Sequence, residues 1–112
     1  MAEITFDDFL KVDIRVGTIV DAEPYPEARK PALILRVDLG PDIGVRKCSA
    51  QVTKHCTAAG LIGRQVAAVV NFQPKQIGKI MSEILVLGFP DEDGEVCMVS
   101  VDPSVPNGGR LY

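Results

Sequence analysis

Two periods of hydrophobic residues alternate along the chain. Over "ITFDDFLKV", Phe6, Phe9 and Leu10 recur at i, i+3, i+4 and fall on one face of a short helix. Thr5, with Asp8 three residues on, predicts a capping box at its start. From Val12 the period drops to two. Val12, Ile14 and Val16 alternate with Asp13 and Arg15, Gly17 interrupts, and Ile19 and Val20 resume. A glycine inside such a pattern predicts a bulge or a sharp bend. "ALILRVDLG" sets Leu33, Leu35, Val37 and Leu39 against Ile34, Arg36 and Asp38, a second strand with one apolar face. "VRKCSAQV" predicts a third, with Arg46, Cys48, Ala50 and Val52 on one side. "TKHCTAAGLIG" fits a short helix ending at Gly60 or Gly63. "RQVAAVVNF", "EILVLGF" and "EVCMVSVD" supply strands four to six. The unbroken apolar run at 84–87 predicts that strand five is buried. The stretch 73–83 between strands four and five reads as a loop.

One helix is too short to stand alone and must pack on something. Several short strands with turn punctuation, and a helix between strands three and four, predict an all-β chain with a short N-terminal helix. The architecture that fits is a five-stranded OB-fold barrel with extra strand segments at its C-terminal end. The chain reads as one domain over 1–112, with a helical arm at 1–11 and a C-terminal segment at 102–112.

Composition adds constraints. With 46% hydrophobic residues but 5% aromatics and no tryptophan, the core is built from Val, Ile, Leu and Ala. No apolar run approaches the ~20 residues of a membrane span, so no membrane insertion is expected. The N-terminus has no signal-peptide pattern, and three cysteines without one predict reduced thiols and a cytoplasmic location. Cys48, His55 and Cys56 form a C-x6-HC array that does not match zinc spacing. Neighbouring His55 and Cys56 point apart and make a poor nucleophile pair. The expectation is a protein that is not an enzyme and uses no cofactor or metal.

Charge changes the picture more. The net charge of −3 argues against a nucleic-acid binder, yet residues 43–82 hold six of the 12 cations and none of the 15 carboxylates. Arg46, Lys47, Lys54, Arg64, Lys75 and Lys79 thus predict a basic face on an acidic body. Lys75 and Lys79, with the Ser82 hydroxyl beside them, would sit at a barrel mouth and contact phosphate and ribose. Arg15, Lys30 and Lys47 would extend that RNA-binding edge, and Glu83 would pair with Lys75 or Arg15. Only Phe72 and Tyr25 offer rings near the basic segment, and Phe72 reads as a core residue. Recognition of folded RNA by shape and backbone is therefore expected over single-strand stacking. A second class is client binding, with Ile77, Ile80 and Met81 lining an apolar peptide groove.

Five segments in order carry a resemblance: "KVDIRVGTIVDAE", "KPALILRVDLG", "RKCSAQVT", "GRQVAAVVNFQPKQIGKIMSEILVLG" and "VPNGGRL". Together they resemble the tRNA-binding OB-fold domain family and, within it, the CsaA-type export-related chaperones. The similarity runs over about residues 6–111. It implies a homodimer of barrels joined by the N-terminal helix and the C-terminal segment, here Phe6, Phe9, Leu10, Val105, Pro106 and Asn107. It implies a tRNA-binding surface at the loop before strand five, here Lys75 and Ser82. Implied partners are tRNA and unfolded or precursor proteins, with a purely client-binding chaperone as the alternative. The family's tRNA binders follow the serine with a small residue and Met; here Ser82 is followed by Glu83, Ile84 and Leu85, as in the CsaA type.

Overall fold

Strand β1, Ile14–Pro24, is long enough to serve two partners. Its first half pairs antiparallel with β4 (Gln65–Val69), from Ile14 opposite Val69 to Thr18 opposite Gln65. Its second half pairs with β2 (Leu33–Asp38), which pairs in turn with β3 (Val45–Ala50). β7 (Leu85–Val86) flanks β4 and completes a five-stranded sheet in the order β3-β2-β1-β4-β7. These relations come from a computed structural model that describes residues 1–27, 30–51 and 57–112.

The sheet curls into a nearly closed barrel. Its seam is held by the Glu83 backbone N–H donating to the Lys47 carbonyl at 2.8 Å. The Lys47 N–H donates back to the Glu83 carboxylate at 3.1 Å, and the Ser49 N–H donates to the Ser82 hydroxyl at 3.3 Å. The core is aliphatic, as composition requires. Ile19, Leu35, Val37, Leu39, Leu61 and Val66 are fully buried, and β2 alternates buried and half-buried residues along its length.

A hairpin follows β4: β5 (Lys75–Ile77) and β6 (Ile80–Ser82) turn at Gly78, whose φ of +62° suits glycine. The basic stretch expected to be a loop is thus a two-stranded ribbon. A second ribbon joins β8 (Gly88–Pro90) to β9 (Val96–Met98) around the acidic turn. Strand five of the sequence pattern is therefore two strands, and Leu85 is 49% exposed while Ile84 is buried. The apolar run has one buried face.

Gly17 also plays a role other than the one expected. The register is regular there, and the slip falls between Ile19 and Asp21. A Cβ at Gly17 would lie 2.6 Å from Val37 Cγ1 and 2.8 Å from the Asp38 carbonyl, so the glycine permits close approach of β2 to β1. The helical elements are short. α1 (Phe6–Leu10) has the expected capping box between Thr5 and Asp8. α2 (Ala58–Leu61), capped by Thr57, drives Leu61 into the barrel floor. Val52, Lys54, His55 and Cys56 lie outside the described residues.

The C-terminal segment runs beside the first half of β1, where β2 does not reach. Gly108 N–H donates to Val16 O, Val16 N–H to Gly109 O, and Leu111 N–H to Ile14 O. Gln65 fastens the same segment with its amide, donating to Val105 O at 2.6 Å and accepting from Val105 N–H at 2.9 Å.

Candidate functional site

The β5–β6 ribbon is positioned by one buried phenol. Tyr25, 5% exposed, donates its hydroxyl to the Ile77 carbonyl at 2.7 Å and accepts from the Lys79 N–H at 2.9 Å. A Cβ at Gly78 would collide with that hydroxyl. Tyr25 is therefore a clamp between the β1–β2 connection and the ribbon, and its ring is not a platform for a base.

Beneath the ribbon lies a groove of about 550 Å³ lined by Ser49, Gln51, Phe72, Gln73, Lys75, Ile77, Ser82, Glu83, Ile84 and Leu85. A second depression of about 340 Å³ adjoins it and shares Phe72, Glu83 and Ile84; Asp13, Arg15, Asp42, Arg46 and Asn71 are among its other walls. Phe72 is 57% exposed between them. This corrects its assignment to the core. The residue follows β4 after the sheet ladder has ended, so alternation no longer directs it inward. A solvated ring beside lysine and amide side chains is suited to stacking on a base.

The structure sorts the expected RNA-binding residues. Lys75 and Ser82 face each other across the ribbon and both line the groove. Lys79 sits at the ribbon's turn, its side chain 83% exposed and its ammonium 4.0 Å from the Glu27 carboxylate. Lys30 is exposed on the β1–β2 connection, and Lys47 is half-buried on β3 at the seam. The Ser82 hydroxyl is engaged, accepting from Ser49 N–H and donating to the Ile84 carbonyl at 3.5 Å. Arg15 is engaged more strongly. Its Nε and Nη2 donate to the two Asp13 oxygens at 2.6 and 3.2 Å, and its Nη1 to Gly108 O at 3.0 Å. That bidentate pair holds the Asp13 carboxyl below its ordinary range, with Arg15 the main cause. Glu83 pairs with neither Lys75 nor Arg15; its carboxylate meets Arg46 at 3.5 Å.

The run of cations also does not become one face. Arg64 precedes β4 and bonds Ser100, at the opposite end of the strand from Phe72. The three residues of the expected peptide groove divide as well. Ile77 and Ile80 are paired on one face of the ribbon, and alternation puts Met81, 42% exposed and opposite Gln76, on the other.

The expected dimer residues form a separate surface. Phe6 is 69% exposed and Leu10 is 43% exposed; Phe9 is half-buried with its ring centroid 6.0 Å from that of Phe6. In the tail, Val105 and Pro106 are exposed. Asn107 turns inward, its Oδ1 accepting from Thr18 and Gln65. An apolar hollow of about 260 Å³ lies nearby, between Ile14, Val16, Ala67, Val101, Val105 and Leu111.

Cys48 is buried and its thiol is pushed up to about 12 by desolvation, whereas Cys97 is exposed. Among the described residues there is no group of three His, Cys, Asp or Glu side chains that could hold a metal, and no helix is long and apolar enough to cross a membrane.

Comparison with known proteins adds the following. A family model described as "Putative tRNA binding domain" matches residues 14–110. The crystal structure of the chaperone CsaA from Bacillus anthracis superposes with a TM-score of 0.93 at 43% identity, covering 99% of this chain and 100% of that one. The CsaA chaperone protein from Picrophilus torridus gives 0.92 and 42%, covering 98% and 100%. A methionine–tRNA ligase of Porphyromonas gingivalis is 34% identical over 109 residues. Those residues are 97% of this chain but 16% of the ligase, so the chain spans about a sixth of that curated relative.

Proposed function

The chain belongs to the tRNA-binding domain family, and from that premise we propose that it is a non-catalytic binding protein of the CsaA type, taking tRNA or another structured RNA in the groove under the β5–β6 ribbon. The observation that carries this reading is the exposed Phe72 ring beside Lys75, with Lys79 at the ribbon turn. Phosphate is met by Lys75 and Lys79, with Lys30 and Lys47 at the margins. An unpaired base is met by Phe72. Ser82 shapes the groove and Arg15 the adjoining depression through their internal bonds. A single ring gives one stacking step, consistent with a folded RNA presenting one unstacked nucleotide to a surface that otherwise reads its backbone.

The similarity to CsaA chaperones supports a second activity, the holding of unfolded or precursor proteins before export, in the cytoplasm. The exposed apolar residues of α1 and the tail support assembly as a homodimer through Phe6, Phe9, Leu10, Val105 and Pro106. Client binding without an RNA ligand is the alternative, and salt separates the two.

The test is binding of labelled tRNA, and suppression of aggregation of an unfolded protein, each across a salt series. RNA affinity is expected to fall steeply with salt and client binding to change little. Lys75→Ala with Lys79→Ala lowers the salt slope by up to about two units and leaves Tm almost unchanged. An unaltered slope moves the RNA face elsewhere. No tRNA binding by the parent at low salt leaves the client-binding reading. Sedimentation of the parent and of Phe9→Asp tests the dimer; a monomeric parent at micromolar concentration rejects it.

A further inference from the structure

Sheet geometry does not place Phe72. β4 ends at Val69, and the ring lies beyond the ladder, over half exposed. Yet the chain around it is tied down. Val70 N–H donates to Asp13 O at 2.9 Å. The Asn71 side chain then makes two bonds to the segment between α1 and β1. Its Oδ1 accepts from Asp13 N–H at 3.0 Å and its Nδ2 donates to Lys11 O at 2.7 Å. One partner is a donor and the other an acceptor, so a single amide orientation satisfies both, and no other side chain of this length supplies the pair.

The anchor is itself held from two sides. The Asp13 carboxylate is gripped by Arg15 and lies 3.7 Å from Arg110 Nε, and Arg110 Nη2 donates to Leu10 O at 2.6 Å. Asn71 thus bonds to a rigid stretch of chain, and the next residue is the groove's ring. Both Asn71 bonds are solvent-exposed, so their net contribution to global stability is small. Their effect is on where residue 72 sits.

We infer that Asn71 is a positioning residue for the groove: its amide locks onto the α1–β1 connection and thereby holds the Phe72 ring beside Lys75, where a base would meet it. The functional part rests on the RNA-binding reading above. The geometric part does not.

The chain has no tryptophan, so Phe72→Trp makes a unique fluorescent reporter in the intact protein. Adding Asn71→Ala to it is expected to lower the steady-state anisotropy of the indole while Tm moves little. With fluorescein-labelled bulk tRNA as probe, Asn71→Ala alone weakens binding about fivefold, and in a Phe72→Ala background it has no further effect. Equal losses in the two backgrounds overturn the inference, as does an unchanged indole anisotropy. If Phe72→Ala leaves tRNA affinity intact, the RNA reading of this groove fails. The anisotropy then decides the positioning role alone: a fall sustains it and no change rejects it. Asn71→Asp keeps the acceptor for Asp13 N–H and removes the donor to Lys11 O, and serves if the alanine variant does not fold. It is expected to give an intermediate anisotropy, and a value equal to the parent's rejects the inference.

Discussion

Removing one oxygen atom from Tyr25 should loosen the ribbon without emptying the core. Tyr25→Phe keeps the buried ring, so the apolar contribution is retained. What is lost is the bond to Ile77 O at 2.7 Å and the bond from Lys79 N–H at 2.9 Å. A net hydrogen bond contributes about 0.5–1.5 kcal/mol, so the two together contribute about 1–3 kcal/mol. The loss is local, because the β5–β6 turn can lift into water and satisfy both groups there. Native-state hydrogen exchange at the Lys79 amide is the direct assay. A loss of about 1.4 kcal/mol corresponds to about tenfold faster exchange there, with the amides of β2 unchanged at conditions of local opening. Lys75 lies two residues before Ile77 on the same short strand, so tRNA affinity should fall with the opening. A lowered Tm with unaltered exchange at Lys79 would refute the argument, since the two hydroxyl bonds would then stabilise the fold as a whole without holding the ribbon locally.

Two further outcomes follow from the buried and paired groups. Under native conditions iodoacetamide should label Cys97 and spare Cys48, whose thiol is buried and pushed up to about 12; equal labelling of both, read by mass spectrometry, contradicts that burial. The Asp13 carboxyl is held down in the folded chain, chiefly by the Arg15 hydrogen bond. Its stabilisation is therefore present above the ordinary carboxylate range and is lost as pH falls through the folded value. The stability difference between the parent and Asp13→Asn should be flat above about pH 5 and shrink toward acid in urea titrations. A difference independent of pH would mean that the charge is not what binds Arg15.

The sequence was informative where a strand has one wet face. Leu33, Leu35 and Val37 alternate with Ile34, Arg36 and Asp38, of which the last two are charged, and the capping box at Thr5 and Asp8 is local, so both are legible. The ribbon alternates Lys75, Ile77, Ile80 and Ser82 with Gln76 and Met81 about Gly78, but each arm is three residues long, too short for a period to distinguish strand from loop. Phe72 extends the Val66, Ala68 and Val70 alternation and so reads as core, but its exposure depends on where β4 ends, at Val69. Gly17 was misread because its constraint, the approach of Val37, comes from another strand. Linear clustering of cations said nothing of the length of β4, which separates Arg64 from Phe72. Ser82 lines the groove and Arg15 the adjoining depression, but their partners Asp13, Gly108 and Ser49 are visible only in three dimensions.

The seam at Glu83 has a consequence for the lifetime of the fold. β2 and β3 join by a short turn, whereas Lys47 and Glu83 are 36 residues apart in sequence. Closing so long a stretch costs chain entropy that the β1–β2–β3 meander does not face, so the seam should form after the rate-limiting step. Contacts made after that step govern escape from the native state and leave arrival at it unaffected. Glu83→Ala should raise the unfolding limb of a chevron about fivefold for ~1 kcal/mol lost and leave the folding limb in place; a slowed folding limb would put the seam in the nucleus. On this account the barrel's persistence, more than its rate of formation, is set by one glutamate tying the edge strand β3 to the segment that leads into β7.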